Sequence, residues 1–466
     1  MGAISINGRS YSFPTIRAVA FLCSSITVVP FVSQAGLSSA NLPRSASLLV
    51  WFTASLLMAL VMSLALALRD RHPQRTWVTY LLPVALFVVG IGRALNIPLS
   101  GALKQYGDFG ALRIHLSEPD TENNRWLLGL TLLREGFRAL NEALTAVGVL
   151  SDGDIDPQKF VQIATALVMC LSAVWLLKRS ETSVVPWMIT TTPLWILFSV
   201  GYDEYYPFVA GLVIAAMWNV LKETPLFENS AAYVIVGLLP ILYVGAFPIS
   251  IALLLSCWSR DQNRRDRTKG AMVALMTAVV SIEVGGEFRG YFVRLSEDLN
   301  AGGDLLDQEL SAKGVGASSE SIFGNLSYVF SVEHVVDIFF WLSCGAGIVV
   351  LVSPLLFSGQ SIRHTAVIEF SLSRIGRMRL ISVSRILLLV SALVFLVFML
   401  PLLGTVRDID LYFVSMFTLL LFAGVKLDEF IRQSENSLVL HRQIEQLISF
   451  GFAPATTALV VFGISR

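Results

Sequence analysis

Apolar residues in this chain do not alternate with polar ones. They gather into runs of about twenty, the length a helix needs to cross a bilayer of about 30 Å. The runs fall near 17–35, 46–68, 77–97, 160–178, 184–200, 206–222, 231–257, 271–285, 335–357, 382–403 and 411–425, with a weaker apolar tail at 447–464. A β-barrel would show short alternating segments instead. The pattern predicts an all-α, polytopic transmembrane helical bundle of about ten to twelve spans. It predicts one integral membrane domain over 1–466: three N-terminal spans, an external loop 98–159, central spans 160–285, an external loop 286–334 and C-terminal spans. The run 231–257 is too long for one ordinary span. Pro240, Gly245 and Pro248 interrupt it. Proline inside a helix frees a carbonyl and kinks the chain, so two short halves returning to the same side are expected.

Between 98 and 159 the period changes. In RWLLGLTLLREGFRALNEALTAVGVL (125–150), Leu127, Leu130, Leu133, Phe137, Leu140, Leu144 and Val147 recur at three- and four-residue spacing. Arg134, Glu135, Arg138, Asn141 and Glu142 fill the other face. This predicts an amphipathic helix that lies on the outer interface or packs on the bundle, not one that crosses.

Basic residues set the orientation. RDRHPQR (69–75), KRSE (178–181), SRDQNRRDRTK (259–269) and the Arg363–Arg385 stretch are the basic connectors. All of them fall inside if 231–257 is a return, which makes the N-terminus cytoplasmic. The connectors left outside are 36–45, 98–159, GYDEYY, 286–334 and TVRDID (405–410). No cleavable signal peptide is expected; 17–35 is kept as a span. The sequon at Asn325 matters only in a eukaryotic secretory compartment.

Composition agrees with the class. The chain has 466 residues, 55% hydrophobic and 15% charged, and a mean hydropathy of +0.68. Its formal net charge is zero, so nothing suggests a nucleic-acid partner. Cys23, Cys170, Cys257 and Cys344 lie in or beside apolar runs as small hydrophobes. Neither they nor the scattered His72, His115, His334, His364 and His441 show metal-ligand spacing. No internal repeat is visible.

The costly residues are the acids on the external side. Asp108 lies in YGDF after the third run. Asp203 and Glu204 lie in GYDEYYPF, flanked by Tyr202, Tyr205 and Tyr206. Arg407, Asp408 and Asp410 lie in RDID before the Leu411 run. Glu118, Asp120, Glu122, Glu135 and Glu142 belong to the long loop. Two residues apart in an extended turn, Asp408 and Asp410 face one way, and Arg407 can pair with them or hold a phosphate. Asp203 and Glu204 also suit a helix start for its dipole. The tyrosines suit an interfacial belt or a sugar-stacking surface. Arg93 and Glu283 sit near the outer ends of their runs. There they snorkel or serve a ligand, a lipid phosphate in the case of Arg93.

In order along the chain stand YGD, REGFRALNEAL, GYDEYYP and PLLGTVRDIDLY. This series resembles multi-pass membrane glycosyltransferases of the GT-C superfamily. More narrowly, it is similar to little-characterised bacterial members with a Gly-Tyr-Val-Glu-x-Tyr-type and a Gly-x-x-Arg-Asp-Trp-Asp-Leu-Phe-type motif, over roughly residues 77–425. The resemblance implies a helical bundle of a bacterial inner membrane with a cavity at the extracytoplasmic surface. It implies a polyprenyl-phosphate-linked sugar donor from the lipid and a glycan, lipid or protein acceptor. It also implies an external acid as general base. By position that base is Asp108, with Glu204 as the motif glutamate and Arg407, Asp408 and Asp410 as the later motif. Some positions depart from the family pattern. The loop 36–45 carries no acid, so two extra N-terminal spans precede the motif loop. Asp203 replaces an apolar residue, and Ile409 a tryptophan.

The expected site therefore has Asp108, Glu204 and Asp203 as catalytic or positioning acids. Arg407, Asp408, Asp410, Arg93, Tyr202 and Tyr205 are expected to contact substrate. A divalent cation (Mg or Mn), where one takes part, would sit on Asp408 and Asp410. The rival readings are a transporter or lipid flippase using the same acids, and a non-catalytic envelope-assembly scaffold.

Overall fold

The computed structural model describes residues 3–6, 9–35, 44–71, 80–95, 127–147, 156–179, 183–202, 205–222, 225–261, 263–285, 329–357, 377–399, 412–434 and 437–461. A small antiparallel hairpin, β1 (Ala3–Ile6) and β2 (Arg9–Ser12), comes first. Every other regular element described is helical. The helices are α1 (Phe13–Ala35), α2 (Arg44–Arg71), α3 (Leu81–Ala94), α4 (Leu127–Ala146), α5 (Pro157–Leu177), α6 (Val185–Thr191), α7 (Pro193–Ser199) and α8 (Tyr206–Leu221). There follow α9 (Asn229–Leu242), α10 (Phe247–Arg260), α11 (Arg264–Gly285), α12 (Val332–Phe340), α13 (Ile348–Phe357), α14 (Arg377–Val394), α15 (Phe413–Arg432) and α16 (Ser437–Thr456).

The helices lie where the apolar runs predict them, but fewer are long enough to cross. Among the described residues, four helices have the length and apolarity of a span: Pro14–Ser33, Ser45–Asp70, Pro157–Leu177 and Leu380–Val397. A fifth is counted if His334–Gly345 and Ile348–Pro354, bent by 83°, form one span. Several apolar runs give helices shorter than the run itself, and the reasons are local. Helices α3, α9 and α10 have 14 residues each. At 1.5 Å per residue each covers only about 21 Å. The run 184–200 is divided by Pro193. A residue before proline is pushed out of the helical region, and Thr192 is extended (φ −61°, ψ 145°), which separates α6 from α7.

The run 231–257 behaves as expected. It breaks at the turn Val244–Ala246 between α9 and α10. Both halves return to one place, since Asn229 and Tyr233 at the start of α9 donate to Asp261, just past α10, at 2.8 and 2.5 Å.

The core is apolar, as in a water-soluble domain, but much of the outside is apolar as well. All of α6 and α7 is buried, and the central packing joins Trp195, Phe198, Phe413, Phe417 and Phe452. The outer helices expose large apolar side chains: Leu49, Leu57, Leu60 and Leu64 on α2, and Met272, Leu275, Met276 and Val280 on α11. So much contiguous apolar surface is a docking face for lipid, not for water. The chain is an integral membrane protein by this measure.

Side-chain contacts fix the directions of the helices. Trp51, early in α2, donates to the carbonyl of Pro454, late in α16; Arg69, late in α2, bonds Glu445, early in α16. The two are antiparallel. Helix α1 runs parallel to α16, with Arg17 on Gln446 and Ser24 on the Gly451 carbonyl. Charges then collect at one end of the bundle. There Arg69 pairs with Glu445 and lies 5.9 Å above the Trp187 ring. Asp428 accepts from Ser183 Oγ (2.5 Å), from the Val184 amide (2.8 Å) and from Lys222. Arg260 caps the α8 carbonyl of Asn219, and Arg385 that of Leu221. Cations at a helix C-terminus satisfy carbonyls that have no partner within the helix and oppose its dipole.

Candidate functional site

The opposite end of the bundle carries described residues that border two of the acidic motifs in sequence. Asp108, Asp203, Glu204, Arg407, Asp408 and Asp410 lie outside the described residues. Their neighbours Tyr202, Tyr205, Tyr412 and Phe413 are described, and so is Arg93.

The turn leading into Asp203 is built by glycine geometry and two side-chain donors. Helix α7 ends at Ser199, and Gly201 takes φ +82°, a left-handed conformation that side chains other than glycine rarely adopt. Arg93, in the last turn of α3, donates from Nη1 to the Gly201 carbonyl at 2.5 Å. The Thr165 hydroxyl, on α5, lies 3.0 Å from the Tyr202 carbonyl and 3.1 Å from the Gln162 carbonyl of its own helix, and its one hydrogen is shared between them. Arg93 therefore neither snorkels freely nor stands apart; it is bonded to the motif's own backbone.

Beyond Glu204, the Tyr205 ring is 3% exposed and lies directly on Gly129 of α4. A Cβ at position 129 would sit 1.7 Å from the Tyr205 hydroxyl, so only glycine leaves room. Burial pushes the Tyr205 phenol well above its ordinary pKa. Tyr202 is equally buried and packs 5.2 Å from Phe198. Neither ring forms an exposed interfacial belt or an open stacking face. Both pack into the interior beside the turn.

Residues that follow the two acidic motifs in sequence enter one aromatic cluster. Tyr206, two residues past Glu204, lies 6.0 Å from Phe413, three residues past Asp410. Tyr243, at the break between α9 and α10, completes the set at 5.6 Å from Tyr206 and 5.3 Å from Phe413. Tyr412 stacks on Trp341 at 5.4 Å. Edge-on and offset ring pairs at these distances add about 0.5–1.5 kcal/mol each beyond the area they bury. Sequence reasoning missed Tyr243, Phe413, Thr165 and Gly129. A signal existed for Tyr243, an aromatic between Pro240 and Pro248, and for Gly129, a glycine inside an amphipathic helix.

Helix α4 covers this end. Leu133 and Phe137 face inward, Phe137 5.2 Å from Phe160 of α5, and the helix packs on α9 and α11. Its charged face carries Arg134 and Arg138, both on Glu135. The apolar stripe is only half used, for Leu140 and Val147 are exposed.

Among the described residues no group of three or more His, Cys, Asp or Glu is placed to hold a metal ion. The expected cation ligands, Asp408 and Asp410, lie outside the described residues, and no step below passes through a cation. No family model, no curated protein and no solved structure matches the chain.

Proposed function

We propose that the protein is a multi-pass membrane glycosyltransferase. It moves a sugar from a polyprenyl-phosphate-linked donor to a glycan, lipid or protein acceptor at the membrane face opposite the charged end. The observation that carries this reading is the 6.0 Å contact of Tyr206 with Phe413. Two acidic motifs more than two hundred residues apart in sequence meet through their adjoining residues, beside Arg93 and under an amphipathic helix.

In this reading the acceptor oxygen attacks the anomeric carbon while the bond from that carbon to the phosphate oxygen breaks. Asp108 takes the acceptor's proton, and the polyprenyl phosphate leaves with its charge held by Arg407. Glu204 and Asp203 position the sugar or acceptor. General-base action of this kind is worth about 10²–10⁴-fold in rate, and a cation at the leaving phosphate lowers the barrier further. The charged end, by the positive-inside rule, is the cytoplasmic one. The membrane would be a bacterial inner membrane with the N-terminus inside.

Transfer from a labelled polyprenyl-phosphate sugar in nanodiscs tests the reading. Asp108→Asn is expected to lower turnover by about 10²-fold or more. Near wild-type turnover removes Asp108 from the base role. A transporter or flippase would need titratable groups at mid-depth. Of the three buried acids among the described residues, Asp428 and Glu445 sit in ion pairs at the charged end, while Asp337 lies in α12 beside the buried His334 and is the group such a reading would have to use. Absence of transfer with every donor, together with retained partner binding, would favour a scaffold.

A further inference from the structure

We propose that Arg93 is a positioning residue of the reacting site, not a ligand of the lipid phosphate. Its guanidinium fixes the backbone turn whose next residues are Asp203 and Glu204. The inference rests on the reading that these acids belong to the reacting site. Three contacts from three separate elements hold this short stretch. Arg93 of α3 holds the Gly201 carbonyl, Thr165 of α5 holds the Tyr202 carbonyl, and the Tyr205 ring sits on Gly129 of α4. An ordinary surface turn leaves its carbonyls to water. Here two consecutive carbonyls take donors from side chains of other helices, and one donor is an arginine inside an apolar run. A charge is expensive there and persists where it has a task.

Reacting groups must be held to within about 0.5 Å of their productive placement. A misplacement of about 1 Å costs on the order of 10²-fold in rate. In sequence the two acids stand between Tyr202 and Tyr205, both of which are anchored. Loosening the Gly201 anchor would therefore act on turnover through them. A phosphate ligand would behave differently: its loss raises KM for the donor and leaves kcat in place.

The experiment has two arms, both on the full chain in nanodiscs. In the first, hydrogen exchange is followed in peptides covering residues 201–206. Arg93→Ala is expected to speed their amide exchange about tenfold, the scale of losing one charge-assisted hydrogen bond. Peptides from α3 and α5 should exchange as in the wild type. Thr165→Val, which keeps shape and removes only the hydroxyl, is expected to act in the same direction and serves if Arg93→Ala does not fold. Unchanged exchange at 201–206 in the folded variants overturns the proposal.

In the second arm, Arg93→Ala is expected to lower kcat about 10²-fold while the donor KM stays within about threefold. Arg93→Lys, which keeps the charge and a donor, should recover part of the loss. A raised donor KM at unchanged kcat makes Arg93 a phosphate ligand and overturns the proposal whatever exchange shows. If the wild type transfers no sugar at all, the glycosyltransferase reading fails and the exchange arm alone decides the positioning.

Discussion

Glu445 has no exposed surface and depends on its two partners. Arg69 grips it with both guanidinium nitrogens, and His441 Nε2 lies 3.4 Å from Oε1. It precedes the apolar stretch 447–464 and belongs to the charged end. Burial pushes its carboxyl upward in pKa, but the hydrogen bonds from His441 and Arg69 outweigh this and hold it below its ordinary value. A carboxyl with a lowered folded pKa stabilises the fold above its unfolded pKa, near 4.3. That stability is lost as pH falls through the folded value. Thermal unfolding in detergent should therefore show a fall in Tm below about pH 4, and Glu445→Gln should remove part of that fall. At neutral pH Glu445→Ala leaves Arg69 with only Asp70, at 3.6 Å, and a lower Tm is expected. No step in the sequence pattern pairs Arg69 with Glu445. They are 376 positions apart, and only the antiparallel packing of α2 on α16 brings them together.

Elements were legible in position and much less so in length. Apolar runs locate α1, α2, α5 and α8 because lipid rewards long uninterrupted burial of backbone polar groups within one helix. The return at Pro240–Pro248 was legible for the same reason: freed carbonyls demand a break. The break at Thr192–Pro193 was not anticipated, although its mechanism is equally local. The tyrosines around Asp203 and Glu204 were open to two readings, belt or sugar platform, and the fold takes neither. Their partners Gly129, Phe198 and Phe413 come from other elements, and a single chain does not reveal such pairs. Helix α4 offers the sharpest test at this scale. Gly129→Leu puts a side chain where the Tyr205 ring lies, and overpacking of this kind costs about 1–3 kcal/mol. The expected outcome is a loosened α4, read as faster tryptic cleavage after Arg134 and Arg138, with the rest of the chain cut as before. Unaltered cleavage would mean that α4 is held by Leu133 and Phe137 alone.

At the scale of the whole molecule, the described helices have two ends with different chemistry, and the orientation proposed above sets them in two aqueous spaces. One is laced with ion pairs; the other is closed by aromatic rings and α4. In a cysteine-free background, Val147→Cys beside α4 is expected to react with an impermeant thiol probe on intact spheroplasts. Asn263→Cys, between α10 and α11, should react only after permeabilisation. The reverse pattern would invert the orientation and place the aromatic end in the cytoplasm. The 83° bend between α12 and α13 has a mechanical consequence for any motion between those spaces. The bend passes through Gly347 at φ +67°, with the Phe452 ring of α16 where a Cβ would otherwise point. A straight helix can slide along its own axis like a piston. A limb joined nearly at right angles cannot, since axial travel of one half would drive the other sideways into its neighbours. The bend therefore opposes sliding of this part along either limb's axis.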